Sequence, residues 1–177
     1  MVVGRARRVV LGVAATGLSA AGKGSDGIRR ERALILVTLV FAVAGAAIAS
    51  YLVYENLQNR TGVCTITHGC ATVQKSSYGK ILGVPVSVPG LALYVTLGAA
   101  AVAWLTNLRG LRDTVAVLAC YLALFGFLFS GYLTYVEGFV LDAWCIYCIG
   151  SASLMTLLFL AWATEVALVV RRRRRAG

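Results

Sequence analysis

Charge is scarce in this chain. Only 14% of its 177 residues are Asp, Glu, Lys or Arg, against 59% that are hydrophobic, and the mean hydropathy is +0.81. A soluble domain of this size clothes most of its surface in polar side chains. That class is therefore excluded, and an integral membrane protein is implied. Proline is nearly missing: only Pro85 and Pro89 occur, bracketing the start of one apolar run. Pro89 falls near a helix N-terminus, where a missing N–H costs little. Histidine occurs once, as His68. There is no internal repeat, and no low-complexity tract beyond the terminal arginines. Acidic residues number 7 against 17 basic ones, a net charge of +10. That excess does not point to nucleic acid. The basic residues sit in terminal blocks without aromatic interleaving, as anchors against anionic lipid headgroups do.

What the chain has instead is apolar length. Four runs, at about 33–54, 88–106, 114–136 and 147–170, each approach the roughly 20 residues an α-helix needs to cross about 30 Å of hydrocarbon. The predicted fold is all-α, an integral membrane four-helix transmembrane bundle. A basic cytoplasmic leader of little order covers residues 1–32, the membrane domain 33–170, and a basic cytoplasmic tail 171–177. In the first run Ala42, Ala46 and Ser50 recur at four-residue spacing. That pattern reads either as a ridge for close helix contact or as ordinary alanine-rich filler.

Charge asymmetry sets the orientation. Seven Lys or Arg precede the first run, three lie in the long loop after it, Arg109 and Arg112 follow the second, and five close the chain. The loop after the third run has none and carries Glu137 and Asp142. The positive-inside rule then puts both termini in the cytoplasm and the first and third loops outside. Tyr51, Tyr54, Tyr132, Tyr135, Trp144 and Tyr147 fall at outer ends and Trp104 at an inner one, where amphipathic rings anchor. Residues 5–22 resemble a short signal peptide. Its cleavage would strand Lys23, Arg29, Arg30 and Arg32 outside, so the leader reads as retained, with an overextended gene start as the alternative.

Four of the five cysteines fall in the outward loops. Cys145 and Cys148 form Cys-Ile-Tyr-Cys at the start of the last run. A helix N-terminus there offers unpaired N–H groups and a positive dipole end, which favour a thiolate. Cys64 and Cys70 share the first loop, with five residues between them. Two pairs on one face suit thiol–disulfide exchange, which needs sulfurs that touch. A static clip, or a membrane scaffold with two static disulfides, is the bland alternative. Cys64, His68, Cys70, Cys145 and Cys148 are numerous enough for zinc, but their spacing matches no zinc-finger pattern. A metal-binding protein stays the second alternative, and no metal is expected. His68 either stabilises a Cys70 thiolate or is a solvated loop residue. Cys120, mid-span, reads as packing.

Taken together, Cys64-Thr-Ile-Thr-His-Gly-Cys70, the Ser76-Ser77-Tyr78-Gly79 that follows, Gly83-Val-Pro85-Val-Ser87-Val-Pro-Gly90 and Trp144-Cys145-Ile-Tyr-Cys148 resemble the vitamin K epoxide reductase family. The likeness is to bacterial members that do the work of disulfide-bond formation protein B, and it covers about 33–170. It implies a bundle around a quinone, capped by a short interfacial helix around Cys70–Ser77. It implies that Cys148 stands nearest the quinone, that Cys145 exchanges with Cys70, and that Cys64 takes electrons from an extracytoplasmic DsbA-like thioredoxin-fold protein. Ser76 matches the family's loop serine near these cysteines. Trp144, Tyr94, Tyr132 and Ala152, with Cys148, are the expected quinone contacts. The implied acceptor is a membrane quinone such as menaquinone or ubiquinone, with vitamin K-like substrates as the alternative. The implied setting is a bacterial cytoplasmic membrane. Animal members carry a tyrosine where this chain has Ala152 and an asparagine where it has Val86, which weighs against vitamin K epoxide itself.

Overall fold

The computed structural model describes residues 3–58, 72–73, 76–81, 83–106 and 110–177, the side chains of 3–28, 77, 81 and 176 apart. The chain forms two units, Met1–Leu34 and Ile35–Gly177. Helix α1 (Val3–Leu57) supplies the first unit and opens the second. After it come a 3-10 turn over Ser77–Gly79, strands β1 (Lys80–Ile81) and β2 (Val84–Pro85), and helices α2 (Ser87–Leu105), α3 (Arg112–Phe139) and α4 (Ile146–Ala176).

Four helical segments have the length and apolarity to cross a bilayer: Arg29–Leu57, Ser87–Leu105, Arg112–Phe139 and Ile146–Arg175. The four expected spans are all present, and three of them are several residues longer than their hydropathy alone suggested. Helix ends need only backbone bonds, so they run on past the apolar core of each run. The outward faces are oily: Val40, Leu118, Phe125 and Leu128 are all more than 60% exposed. Water would not tolerate such a surface, whereas lipid favours it.

The interior follows one rule on every helix. Buried positions advance by alternating steps of three and four, which keeps a seam on one face. On α1 the seam is Ile35, Thr38, Ala42, Gly45, Ala49 and Leu52. On α2 it is Tyr94, Leu97, Ala101 and Trp104, on α3 Ala116, Ala119, Ala123 and Gly126, and on α4 Met155, Leu158, Trp162, Glu165 and Val169. Alanine and glycine dominate α1 and α3, so backbones approach closely, as membrane helices without a hydrophobic drive require. The small-residue ridge passes through Gly45 and Ala49 rather than Ala46 and Ser50; Ser50 is exposed. Four-residue steps drift around a helix, whereas alternating steps hold the face.

Glycine matters where space is shortest. A Cβ on Gly45 would overlap the Tyr94 ring, and one on Gly126 would meet Leu93 and the Met155 sulfur. At the arginine-rich end, Arg112 donates from Nε to the Trp104 carbonyl at 3.1 Å and lies 4.7 Å above the Trp104 ring centre. It thereby satisfies a carbonyl at the end of α2 and ties that end to the start of α3. Trp104, expected as an interfacial anchor, is instead buried in the core. Glu165, fully buried, pairs with Arg172 at 3.3 Å.

Candidate active site

The CxxC motif is placed by the junction of α3 and α4. After α3, Asp142 takes a left-handed conformation (φ 45°), and Ala143 N–H bonds back to the Glu137 carbonyl at 3.0 Å. This tight return delivers Cys145 as the N-cap of α4, in extended conformation, its carbonyl accepting from Ile149 N–H at 3.0 Å. Cys148 then stands on the first turn of the helix. Both are free thiols. Cys145 is fully buried.

A carboxyl stands against the pair. The Cys148 thiol interacts electrostatically with both Cys145 Sγ and the Glu137 carboxyl. Glu137 Oε2 also accepts the Cys145 backbone N–H at 3.2 Å. The Cys145 thiol is held below its ordinary range, first by the Cys148 thiol and further by backbone N–H groups of Cys148 and Tyr147. Burial and the Glu137 charge oppose that shift. The direction is the one a helix N-terminus gives an N-cap sulfur.

Beside the pair lies a cavity between the four helices. It contains about 880 Å³ of space between atoms, its mouth included. Its wall is mostly apolar: Ala49, Leu52, Leu93, Gly126, Phe129, Leu133, Ala152 and Met155, with Val73, Pro85 and Val86 from the segment before α2. A few polar groups converge in it: Asn56, Ser87, Tyr94, Ser130, Thr134, Glu137, Cys148 and Ser151. An apolar cavity with few polar groups is the usual form of a small-molecule site. The polar groups come from continuing the seams upward: 52 to 56 on α1, 94 to 90 to 87 on α2, 126 to 130, 133 and 137 on α3, 155 to 151 and 148 on α4.

The wall fits a quinone. Flat apolar rings suit its carbon lining, and quinone carbonyls need donors. Ser87 Oγ is buried there without a hydrogen-bond partner among the described residues. A buried hydroxyl left unpaired is costly, so an acceptor brought to it is favoured.

The expected site residues divide clearly. Cys148, Tyr94 and Ala152 line the cavity. The Tyr94 hydroxyl is already engaged, donating to the Ser151 carbonyl at 2.7 Å with Ser151 Oγ at 2.9 Å. Trp144 and Tyr132 are not in the lining. The Trp144 indole lies against Gly138, where a Cβ would come within 3.0 Å of it, and Tyr132 is an exposed ring near Phe129. Ser76 caps the 3-10 turn: its hydroxyl donates to Val73 O at 2.7 Å and accepts from Gly79 N–H at 3.2 Å. Cys64, His68 and Cys70 lie outside the described residues. So does part of the expected interfacial helix around Cys70–Ser77; Thr72 and Val73 there are helical.

Sequence reading missed Glu137, Ser87, Asn56 and Ser151. Glu137 was counted as a loop charge, yet it lies inside α3 and is 2% exposed. The seam contained the signal, since stepping by three and four from Ala116 arrives at Glu137.

The chain matches the profile of the Vitamin K epoxide reductase family over residues 36–163. No curated protein matches it significantly.

Proposed function

Because this chain belongs to the vitamin K epoxide reductase family, a family of membrane oxidoreductases linked to quinones, we propose that it makes disulfides for the compartment outside the membrane. It takes electrons from a separate thioredoxin-fold protein of the DsbA kind and passes them, two at a time, to a membrane quinone. The observation that carries the reading is Cys148 in the wall of an apolar cavity, one helical turn from Cys145 at the N-cap.

A quinone held against Ser87, Tyr94 and Ala152 supplies an acceptor for two electrons and two protons. The chain's own sulfurs do the rest. A thiolate of the partner attacks a Cys64–Cys70 disulfide at Cys64, and Cys70 leaves as a thiolate. Cys70 attacks the Cys145–Cys148 disulfide at Cys145, and Cys148 leaves as the thiolate that faces the cavity and takes up a proton. The partner's second thiolate displaces Cys64, and the partner leaves oxidised. Cys64 then attacks the Cys70–Cys145 disulfide at Cys70, restoring Cys64–Cys70 and leaving the reduced Cys145–Cys148 dithiol. Each step forms one S–S bond and breaks one. A donor of the DsbA kind stands at about −120 mV, so the acceptor must be comparably oxidising.

Orientation rests on the distribution of Lys and Arg, which sets both termini inside and all four paired cysteines outside. A membrane-impermeant thiol reagent should therefore reach the cysteines only from outside the cell. Labelling from the cytoplasmic side alone would refute that orientation.

The partner step is tested by Cys64→Ala. The variant should lose oxidation of a thioredoxin-fold donor while a small dithiol still reduces the Cys145–Cys148 pair. Full activity with the protein donor would remove Cys64 from the path, and with it the relay.

A further inference from the structure

We infer that Glu137 is the base that takes the proton of Cys148, moving it out of the cysteine pair and into the cavity wall. The inference rests on the redox reading above and goes beyond it by assigning the proton as well as the electrons.

A carboxyl within a membrane-spanning helix is expensive, and where one persists it marks chemistry more often than packing. Glu137 is 2% exposed, on the inward seam of α3, in the wall shared with Cys148. One oxygen is fixed by the Cys145 backbone N–H at 3.2 Å, at the positive end of α4. Cys148, three residues beyond Cys145, lines the same wall, and its thiol interacts electrostatically with the carboxyl. The groups beside the Cys148 proton that can accept it are therefore Cys145 Sγ and Glu137. Transfer to Cys145 leaves the proton inside the pair. Transfer to Glu137 removes it.

The step balances without a redox agent. The Cys148 S–H bond breaks, a Glu137 O–H bond forms, and the negative charge passes from carboxylate to sulfur. Oxidation of the dithiol to its disulfide then releases two electrons and two protons to the membrane quinone, and Glu137 carries one of those protons. The ionisable groups that reach the carboxyl among the described residues are the two thiols. The neighbouring wall groups Asn56 on α1, Ser87 on α2 and, on α3 itself, Thr134 are uncharged; the charged group on α1 near the pair is Glu55, which acts on Tyr147.

The test uses the reduced, full-length protein and Glu137→Gln. Glutamine keeps an oxygen for the Cys145 N–H but cannot take a proton. First, without quinone, iodoacetamide modification of Cys148 is followed across pH by mass spectrometry. In the wild type the rate should rise through a carboxyl ionisation to a plateau, then rise again. In Glu137→Gln it should climb without the plateau. Second, oxidation of the dithiol by a soluble quinone analogue should slow by about 100-fold at neutral pH and recover as the pH is raised. Where Glu137→Gln gives no folded protein, Glu137→Asp decides, because it withdraws the carboxyl by one methylene and should slow oxidation at least several-fold. Matching pH profiles in wild type and Glu137→Gln, or an undiminished rate in Glu137→Asp, overturn the proposal. A wild-type dithiol that no quinone oxidises overturns instead the reading beneath it.

Discussion

Cys145 and Cys148 are three residues apart and chemically unequal. Cys145 sits at the N-cap of α4 with the Cys148 thiol beside it, so its thiolate forms more readily than that of a free cysteine. The sign follows directly. A depressed pKa means that the thiolate persists to lower pH than that of a free cysteine and is lost as the pH falls through the lowered value. A reduced Cys148→Ala variant should keep part of this shift through the backbone N–H groups alone. Titrated by thiolate ultraviolet absorbance, wild-type Cys145 should ionise below the free-cysteine value of about 8.5 and Cys148→Ala at a pH between the two. Ionisation of both at or above the free value would contradict the N-cap argument. At this scale the cysteines were legible because their spacing is their signal. Glu137 was not, because an acidic residue beside an apolar run looks like a loop charge until the interior seam is traced through it.

At the scale of elements, the architecture depends on seams that alternate three and four residues, with alanine or glycine where helices come nearest. Gly45 is the tightest point. Its missing side chain leaves room for the Tyr94 ring, whose hydroxyl is tied to Ser151 on α4. Three helices thus meet through one glycine and one tyrosine. Gly45→Ala should push the ring away from Ser151 and destabilise the bundle by about 1–3 kcal/mol, the usual range for overpacking. A thermal melt in detergent reads this loss. An unchanged melting temperature would show that Tyr94 has room to move. Hydropathy identified the four helices readily, because each run is long and nearly uncharged. It did not identify the inward face. Ala42, Ala46 and Ser50 suggested a plausible ridge, and the buried one instead runs through Ala42, Gly45 and Ala49. The two ridges differ only in step length, and the packing of neighbouring helices decides between them.

Across the whole molecule, the outside is apolar as well as the core, unlike a soluble bundle. Large apolar side chains face outward and inward alike, and polar groups inside gather mainly around the cavity and at the buried Glu165. The motif at the head of α4 meets that cavity through Cys148. In the proposed relay, Cys145 exchanges with Cys70, which would couple a soluble thiol donor to a lipid-dissolved acceptor without either crossing the membrane. The membrane class and helix count were legible from composition, since scarce charge and long apolar runs allow little else. The cavity was not, because it is a gap defined by where seams end.

The measurement that bears most directly on this account is anaerobic mixing of the purified, fully reduced protein with a quinone, followed optically. The wild type should reduce two quinones per chain, one with the electrons of the Cys145–Cys148 dithiol and one with those that the Cys64–Cys70 dithiol passes to it, and Cys148→Ala should reduce none while remaining folded. Undiminished quinone reduction by Cys148→Ala would contradict the account.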